Sequence, residues 1–268
     1  MKKNVTGRQL ARVSAVKYRE AIWSELYPGN RHTVTCLQPA VLASEIALDL
    51  APDQHKRVVW RMDGGAGSDE ELRWLLARHY QIVAKGTSNR RAQWAPEALA
   101  KQVKRWDAFA DAWLAEVSPY ADFGRPVQVF VKKRFKHGEF VYSYYVSTLA
   151  LPSKAHFMRY YQDRGAAEVE QFRNDKGGLF LEARRKHAFA AQKALILLTD
   201  LAHNLLANFH RQALTPSPFA AFGLKRIVRD LLEMPGNLVF AGSQLKRIEL
   251  QASHPHAKSL LTCLKNYL

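Results

Sequence analysis

A chain of 268 residues with 47% hydrophobic and 24% charged residues has the apolar content for one large packed core or two small ones, which excludes a disordered chain. Its 40 Lys+Arg against 24 Asp+Glu give a formal net charge of +16, so polyanions are the natural partners: nucleic acid first, an anionic membrane surface second. Cys36 and Cys263 form no CxxC, which excludes a zinc ribbon and argues against a disulfide-built secreted domain, and no apolar run reaches the roughly 20 residues of a membrane span.

The opening Met1-Lys2-Lys3-Asn4-Val5-Thr6-Gly7-Arg8 has no apolar stretch of the signal-peptide kind, so a cytoplasmic location is expected. Arg8 to Val16 reads as a strand, and Tyr18 to Leu26 as strand or helix, before a turn at Pro28-Gly29-Asn30. Pro39 to Leu50 reads as a mostly buried helix. Arg57 to Met62 is a short apolar run bounded by charge and reads as a buried strand, with Asp63 at its end and Gly64-Gly65-Ala66-Gly67 after it. Ser68 with Glu71 fits a capping box ahead of a helix through Leu72, Trp74, Leu75 and Leu76, and Tyr80 to Lys85 is a second buried strand. Strand, helix, strand is the grammar of an α/β domain.

The pattern then changes. Trp106, Phe109 and Trp113 mark an amphipathic or turn-rich connection, and Val127 to Phe135 with Phe140 to Leu149 forms a hairpin about Lys136-His137-Gly138-Glu139. From His156 onward the chain reads as helical: a polar stretch from Arg159 to Lys176, a break at Gly177-Gly178, then Phe189 to His210, whose Leu and Phe residues are most simply core. After Pro216 and Pro218 come a short helix, Lys225 to Leu232, and β-like stretches at Leu238 to Phe240 and Leu245 to Leu250. There is no internal repeat.

Asp63 is the first residue with chemistry in view. A carboxylate at the C-terminal end of a buried strand in an α/β sheet sits where ligands bind, and glycines after it let a backbone approach closely. The plainer reading is a loop Asp that bonds nearby backbone N–H groups. GGAGSDEE lacks both the Lys-Ser/Thr of a P-loop and the third glycine of a dinucleotide fingerprint. The second group is Tyr161, Arg164 and Glu168, which share one face of a helix at these spacings. Taken alone, Arg164 and Glu168 read as a surface ion pair.

In order, strand-end Asp, Gly-rich loop, helix, strand, antiparallel insertion and Tyr-x-x-Arg-x-x-x-Glu resemble the DDE transposases of bacterial insertion sequences, in the branch with a Tyr-Arg-Glu-Lys signature. Arg61-Met62-Asp63-Gly64-Gly65-Ala66 resembles the setting of the family's second catalytic Asp. Tyr161, Arg164 and Glu168 stand at the spacing around its catalytic Glu. The likeness runs from near residue 7 to about residue 212. It implies an RNase H-like α/β fold: a mixed sheet with flanking helices, an antiparallel β insertion between Asp63 and Glu168, and a helical C-terminal part. Its divisions would be 1–105 for the first part of the core, 106–150 for the insertion, 151–212 for the rest of the core with the Glu, and 213–268 for an extension.

The resemblance implies metal-dependent cleavage and strand transfer of DNA. Asp63 and Glu168 would be the catalytic, metal-ligating carboxylates for Mg²⁺ or Mn²⁺, hard ions that oxygen ligands suit. Arg164 would hold phosphate through its guanidinium fork, with Tyr161 packed or hydrogen-bonded beside the backbone. The partners implied are double-stranded DNA and a second copy of the chain on that DNA, with no membrane, in the bacterial cytoplasm and nucleoid.

Two departures qualify the match. The family's Lys follows its Glu by seven positions, whereas Lys176 follows Glu168 by eight and Glu170 by six, so either Glu fits in part. The family's first Asp belongs ahead of the segment that Gly7-Arg8-Gln9-Leu10 resembles, and neither Asp49 nor Asp53 takes its place. A chain that begins inside a longer gene, without the first strand, is the expectation, and with it impaired metal binding and little or no strand cleavage by this chain alone. Lys85, Arg90 and Arg91 lie on the Asp63 rim as candidate DNA contacts; Lys132-Lys133-Arg134 and Arg184-Arg185-Lys186-His187 are further basic runs. His203 with Asn204 reads as a buried polar pair rather than a ligand. The competing readings are a non-catalytic DNA-binding or transposase-inhibiting fragment, and an unrelated basic nucleic-acid-binding module.

Overall fold

A computed structural model of the chain describes residues 7–29, 31, 33–86, 103 and 105–267, with the side chains of all of these except 164–170. It divides into two compact units: one holds Met1–Val13 and Glu25–Ala166, the other Ser14–Ser24 and Ala167–Leu268.

The first unit is built on a six-stranded mixed sheet of order β3-β4-β8-β7-β6-β5. Strands β3 (Val59–Met62) and β4 (Gln81–Lys85) run parallel, joined through helix α2 (Asp69–Ala77). Ser68 caps α2 by accepting the Glu71 backbone N–H at 3.3 Å, a contact worth about 1 kcal/mol. The Glu71 carboxylate turns elsewhere and accepts from Gln38 Nε2 at 3.3 Å. Strands β5 (Asp107–Phe109), β6 (Ala112–Val117), β7 (Gln128–Lys136) and β8 (Glu139–Ser147) are antiparallel. The β7–β8 turn falls at Lys136-His137-Gly138-Glu139 with φ of 52° at His137 and 86° at Gly138, the positive pair that a tight hairpin needs.

The structure corrects one expectation here. The expected amphipathic or turn-rich connection is in part a strand pair: Phe109 and Trp113 lie in β5 and β6, too short to show a period in sequence, and Trp106 precedes β5. The antiparallel strands continue the sheet of the parallel pair, because β8 pairs with β4.

Strand alternation gives each sheet face its own core. On one face Met62, Ile82, Ala84, Val129, Val131, Tyr144 and Val146 pack with Leu72, Leu75 and Leu76 of α2 and with Leu37 and Val41 of α1 (Leu37–Ala47). On the other, Val83, Leu114, Phe130 and Tyr145 pack with Phe157, Met158 and Tyr161 of α3 (Lys154–Gly178). Helix α1 is less buried than its run of apolar residues suggests: Ile46 is 83% exposed, because the helix buries only the line through Leu37, Ala40, Val41 and Ser44.

The second unit contains α4 (Phe189–Phe209), a short turn α5 (Leu224–Arg226) continued by Ile227–Leu232, the hairpin β9 (Gly236–Ala241) and β10 (Gln244–Leu250), and α6 (Ala257–Tyr267). Its core is Phe209, Leu214, Phe219, Ile227, Leu231 and Leu260 with their neighbours. The leucines of α4 are not core as expected. Leu198, Leu201 and Leu205 are more than half exposed, and the helix buries Ile196, Thr199, Asp200 and His203 instead.

The reason is the turn between β1 (Arg8–Ala15) and β2 (Glu20–Pro28), whose backbone groups need polar partners. Asn204 donates to the Ala21 carbonyl and accepts the Ala21 N–H, both at 2.8 Å, and His203 Nε2 lies 2.8 Å from the Arg19 carbonyl. The pair His203-Asn204 is thus a polar packing contact. Among the described residues no helix is long and apolar enough to cross a membrane.

Candidate active site and its basic surroundings

Asp63 follows the last residue of β3 and is exposed. Its Oδ1 accepts the Gly65 N–H at 2.9 Å, so the carboxylate holds its own loop while its remaining lone pairs face outward from that bond. The loop lies directly on β4. A Cβ added at Gly67 would fall 2.0 Å from the Lys85 carbonyl oxygen, so glycine is required there by contact. Both ends of the parallel pair therefore converge on one rim, with Asp63 level with Lys85 by the register that sets Met62 beside Ala84.

Arg61, two residues before Asp63 and on the same strand face, links β3 to α3. Its guanidinium stands 4.9 Å from the Tyr160 ring centroid and donates to the Tyr160 carbonyl at 3.1 Å. Tyr161 is 8% exposed, with its ring edge-on to Tyr145 at 4.9 Å, so its surroundings are core. Arg164, Glu168 and Glu170 fall in α3, and their side chains lie outside the described set; Arg90 and Arg91 lie outside the described residues.

Lys176 is exposed and bonded to Glu182 at 3.0 Å. The position seven beyond Glu168, where the family signature has its Lys, holds Asp175. Asp175 is fully buried, 2.7 Å from His203 Nδ1. Sequence reasoning passed over this residue, although its spacing from Glu168 was the available signal. Among the described residues no group of three or more His, Cys, Asp or Glu side chains is placed to hold a metal ion. A cavity of about 330 Å³ opens elsewhere on the α3 face of the sheet, lined by Asp107, Glu116, Gln128, Phe130 and Lys154 among others, and Asp63 is not part of its wall.

A family model for the transposase DDE domain, group 1, matches residues 17–267. The chain belongs to that family. No curated protein matches it closely enough to count as a relative. Membership makes it a DDE transposase, and the six-stranded mixed sheet with flanking helices is compatible with the RNase H-like fold expected of one. The family implies DNA as substrate and a divalent metal as cofactor.

Proposed function

We infer that this DDE transposase is of the insertion-sequence type and acts on the DNA ends of its element, with Asp63 and Glu168 as its metal-ligating carboxylates. The observation that carries the reading is Asp63 itself, an exposed carboxylate at the C-terminal end of a parallel strand, on a glycine loop that lies against the neighbouring strand. Such a position is where α/β sheets bind ligands. An exposed carboxylate with oxygen lone pairs to spare fits a hard divalent ion such as Mg²⁺ or Mn²⁺. Asp63 and Glu168 would hold it, and when bound it would polarise phosphoryl oxygens and lower the pKa of an attacking hydroxyl.

The chain's own residues do the rest. Asp63 keeps its orientation through the Gly65 N–H, so a ligand meets a fixed oxygen. Arg61 ties the strand that carries Asp63 to α3. Tyr161 serves by packing, since it is buried against Tyr145. Arg164 holds a phosphate by its planar fork, and Lys85 supplies charge on the Asp63 rim. Transposase work on two DNA ends calls for a second copy of the chain, so a homodimer on double-stranded DNA, within the nucleoid, belongs to the proposal.

Iron substitution tests the site without relying on turnover. Fe²⁺ in place of Mg²⁺, with ascorbate and peroxide, cuts a polypeptide beside the bound metal. Cuts near residues 63 and 168 that disappear in Asp63→Asn are expected. Cuts elsewhere, or none, would overturn the assignment and favour a DNA-binding relative without a metal centre.

A further inference from the structure

The basic run Lys132-Lys133-Arg134 on β7 is divided by strand alternation. Lys133 faces aromatic rings, with its ammonium 4.4 Å from the Trp106 centroid, 5.5 Å from Trp113 and 5.2 Å from Phe140. Lys132 and Arg134 face the other way, on the side that carries Phe130. Arg134 is occupied by Asp111 at 3.4 Å. Lys132 has no hydrogen bond or ion pair among the described residues, and neither has Lys85.

Register brings these two lysines to one side of the sheet. Lys85 stands across from Tyr145, and Tyr145 across from Phe130. Lys132 is two residues past Phe130, on the same face. Strands β4 and β7 run in the same direction, each antiparallel to β8, so Lys132 lies two residues further along that direction than the row of Lys85. Two strand spacings across and two residues along separate their backbones by roughly 12 Å, within the combined reach of two lysine stems. The Lys85 stem crosses the glycine loop: its Cδ and Cε lie 3.7 and 3.9 Å from where a Cβ on Gly64 would stand.

Resting on the transposase reading above, we propose that Lys85 and Lys132 form a phosphate cradle beside Asp63 that holds a phosphodiester of the DNA strand. Two unpaired ammonium groups on one half-buried sheet face repel each other and are short of solvation, and a bound anion reverses both effects. Burial, offset in part by the charge of Asp111 and reinforced by those of Arg134 and Lys85, already holds the Lys132 ammonium below the ordinary lysine range. Lys154 is bound to Asp107 at 2.9 Å, Lys176 to Glu182 at 3.0 Å, and Lys133 faces its rings.

The test is the salt dependence of duplex DNA binding by the full chain, read by fluorescence anisotropy between about 50 and 200 mM salt. Lys132→Gln and Lys85→Gln are each expected to lower the slope of log K against log salt by about 0.9, equally on duplexes of any sequence. Lys56→Gln, an exposed lysine in Pro52–Arg57, is the control and leaves the slope unchanged. If the wild-type chain binds with a steep slope and both variants keep it, the cradle is wrong and the transposase reading stands. If the wild-type chain shows no salt-dependent DNA binding, the transposase reading fails and takes the cradle with it. Protection of Lys132 from amine acetylation separates two sources of phosphate: duplex DNA is expected to protect it where millimolar inorganic phosphate does not. Equal protection by inorganic phosphate would overturn the assignment to DNA.

Discussion

His203 Nδ1 lies 2.7 Å from Asp175 Oδ1, with the two side chains 3% and 0% exposed. The other ring nitrogen reaches the Arg19 carbonyl at 2.8 Å, so the imidazole is held at both ends between α3, α4 and the β1–β2 turn. Removing one member of a buried hydrogen-bonded pair leaves a polar atom of the other short of that partner, which costs about 1–3 kcal/mol. His203→Ala and Asp175→Ala are each expected to destabilise the chain by that order in urea unfolding. The double variant should lose less than the sum, by a coupling of roughly 1–3 kcal/mol, because each single change already breaks the same contact.

The sequence made this second unit harder to read than the first. Helix α4 has the apolar spacing of a core helix, and its leucines were assigned to the interior on that ground. Burial follows instead from what the β1–β2 turn needs: donors and acceptors for the backbone of residues 19 and 21, which His203 and Asn204 supply. Periodicity registers apolar residues and is silent about an orphaned carbonyl a long way off in sequence. Where local chemistry decided the outcome, reading was direct. The Ser68 cap, the hairpin turn at His137-Gly138 and the strand ending at Asp63 each depend on a few adjacent residues. The Lys85–Lys132 pairing was hidden for the opposite reason, since it depends on the register of three strands that no local pattern specifies.

Acid should loosen the first unit at Glu45. Burial raises this carboxyl's pKa, but hydrogen bonds from Arg78 and Tyr80 and the charge of Arg78 outweigh it, and the net shift is downward from 4.5. Arg78 Nη2 donates to the carboxylate at 2.6 Å, as does Tyr80 Oη. A carboxyl whose folded pKa lies below its unfolded one stabilises fully above the unfolded value, and the benefit is lost as pH falls through the folded one. Glu45→Gln is expected to lower stability by about 1–3 kcal/mol at neutral pH, since it removes a charged hydrogen-bond acceptor that is mostly buried. The gap between variant and wild type should close as the pH drops below about 4, measured by thermal unfolding across pH 3 to 7.

Gly67 ties the Asp63 loop to the end of β4. An Ala Cβ would meet the Lys85 carbonyl oxygen at 2.0 Å and its carbon at 3.0 Å, both backbone atoms that yield only by moving the strand. Overpacking of that kind costs about 1–3 kcal/mol. Gly67→Ala should lower the unfolding midpoint accordingly and weaken DNA binding, because Lys85 moves with its backbone. Gly177→Ala is the contrast: its nearest neighbour is the Lys225 Cδ at 3.9 Å, and the position is helical. That change should be neutral or stabilising by up to about 1 kcal/mol.

Asp63 allows structure and chemistry to be separated at a single residue. Its Oδ1 bond to the Gly65 N–H needs an acceptor and no charge, so Asn keeps the loop and Ala removes the bond. Asp63→Asn is expected to hold stability within about 0.5 kcal/mol of wild type, and Asp63→Ala to lose roughly 0.5–1.5 kcal/mol. Metal binding should follow charge instead: both variants lose a carboxylate ligand, so calorimetric titration with Mn²⁺ should show both weakened alike. A purely structural Asp63 predicts another pattern, with Asn behaving as wild type in metal binding as well as in stability. The two measurements on the Asn variant thus decide whether the exposed carboxylate at the end of β3 is a ligand or only the closing bond of its own turn.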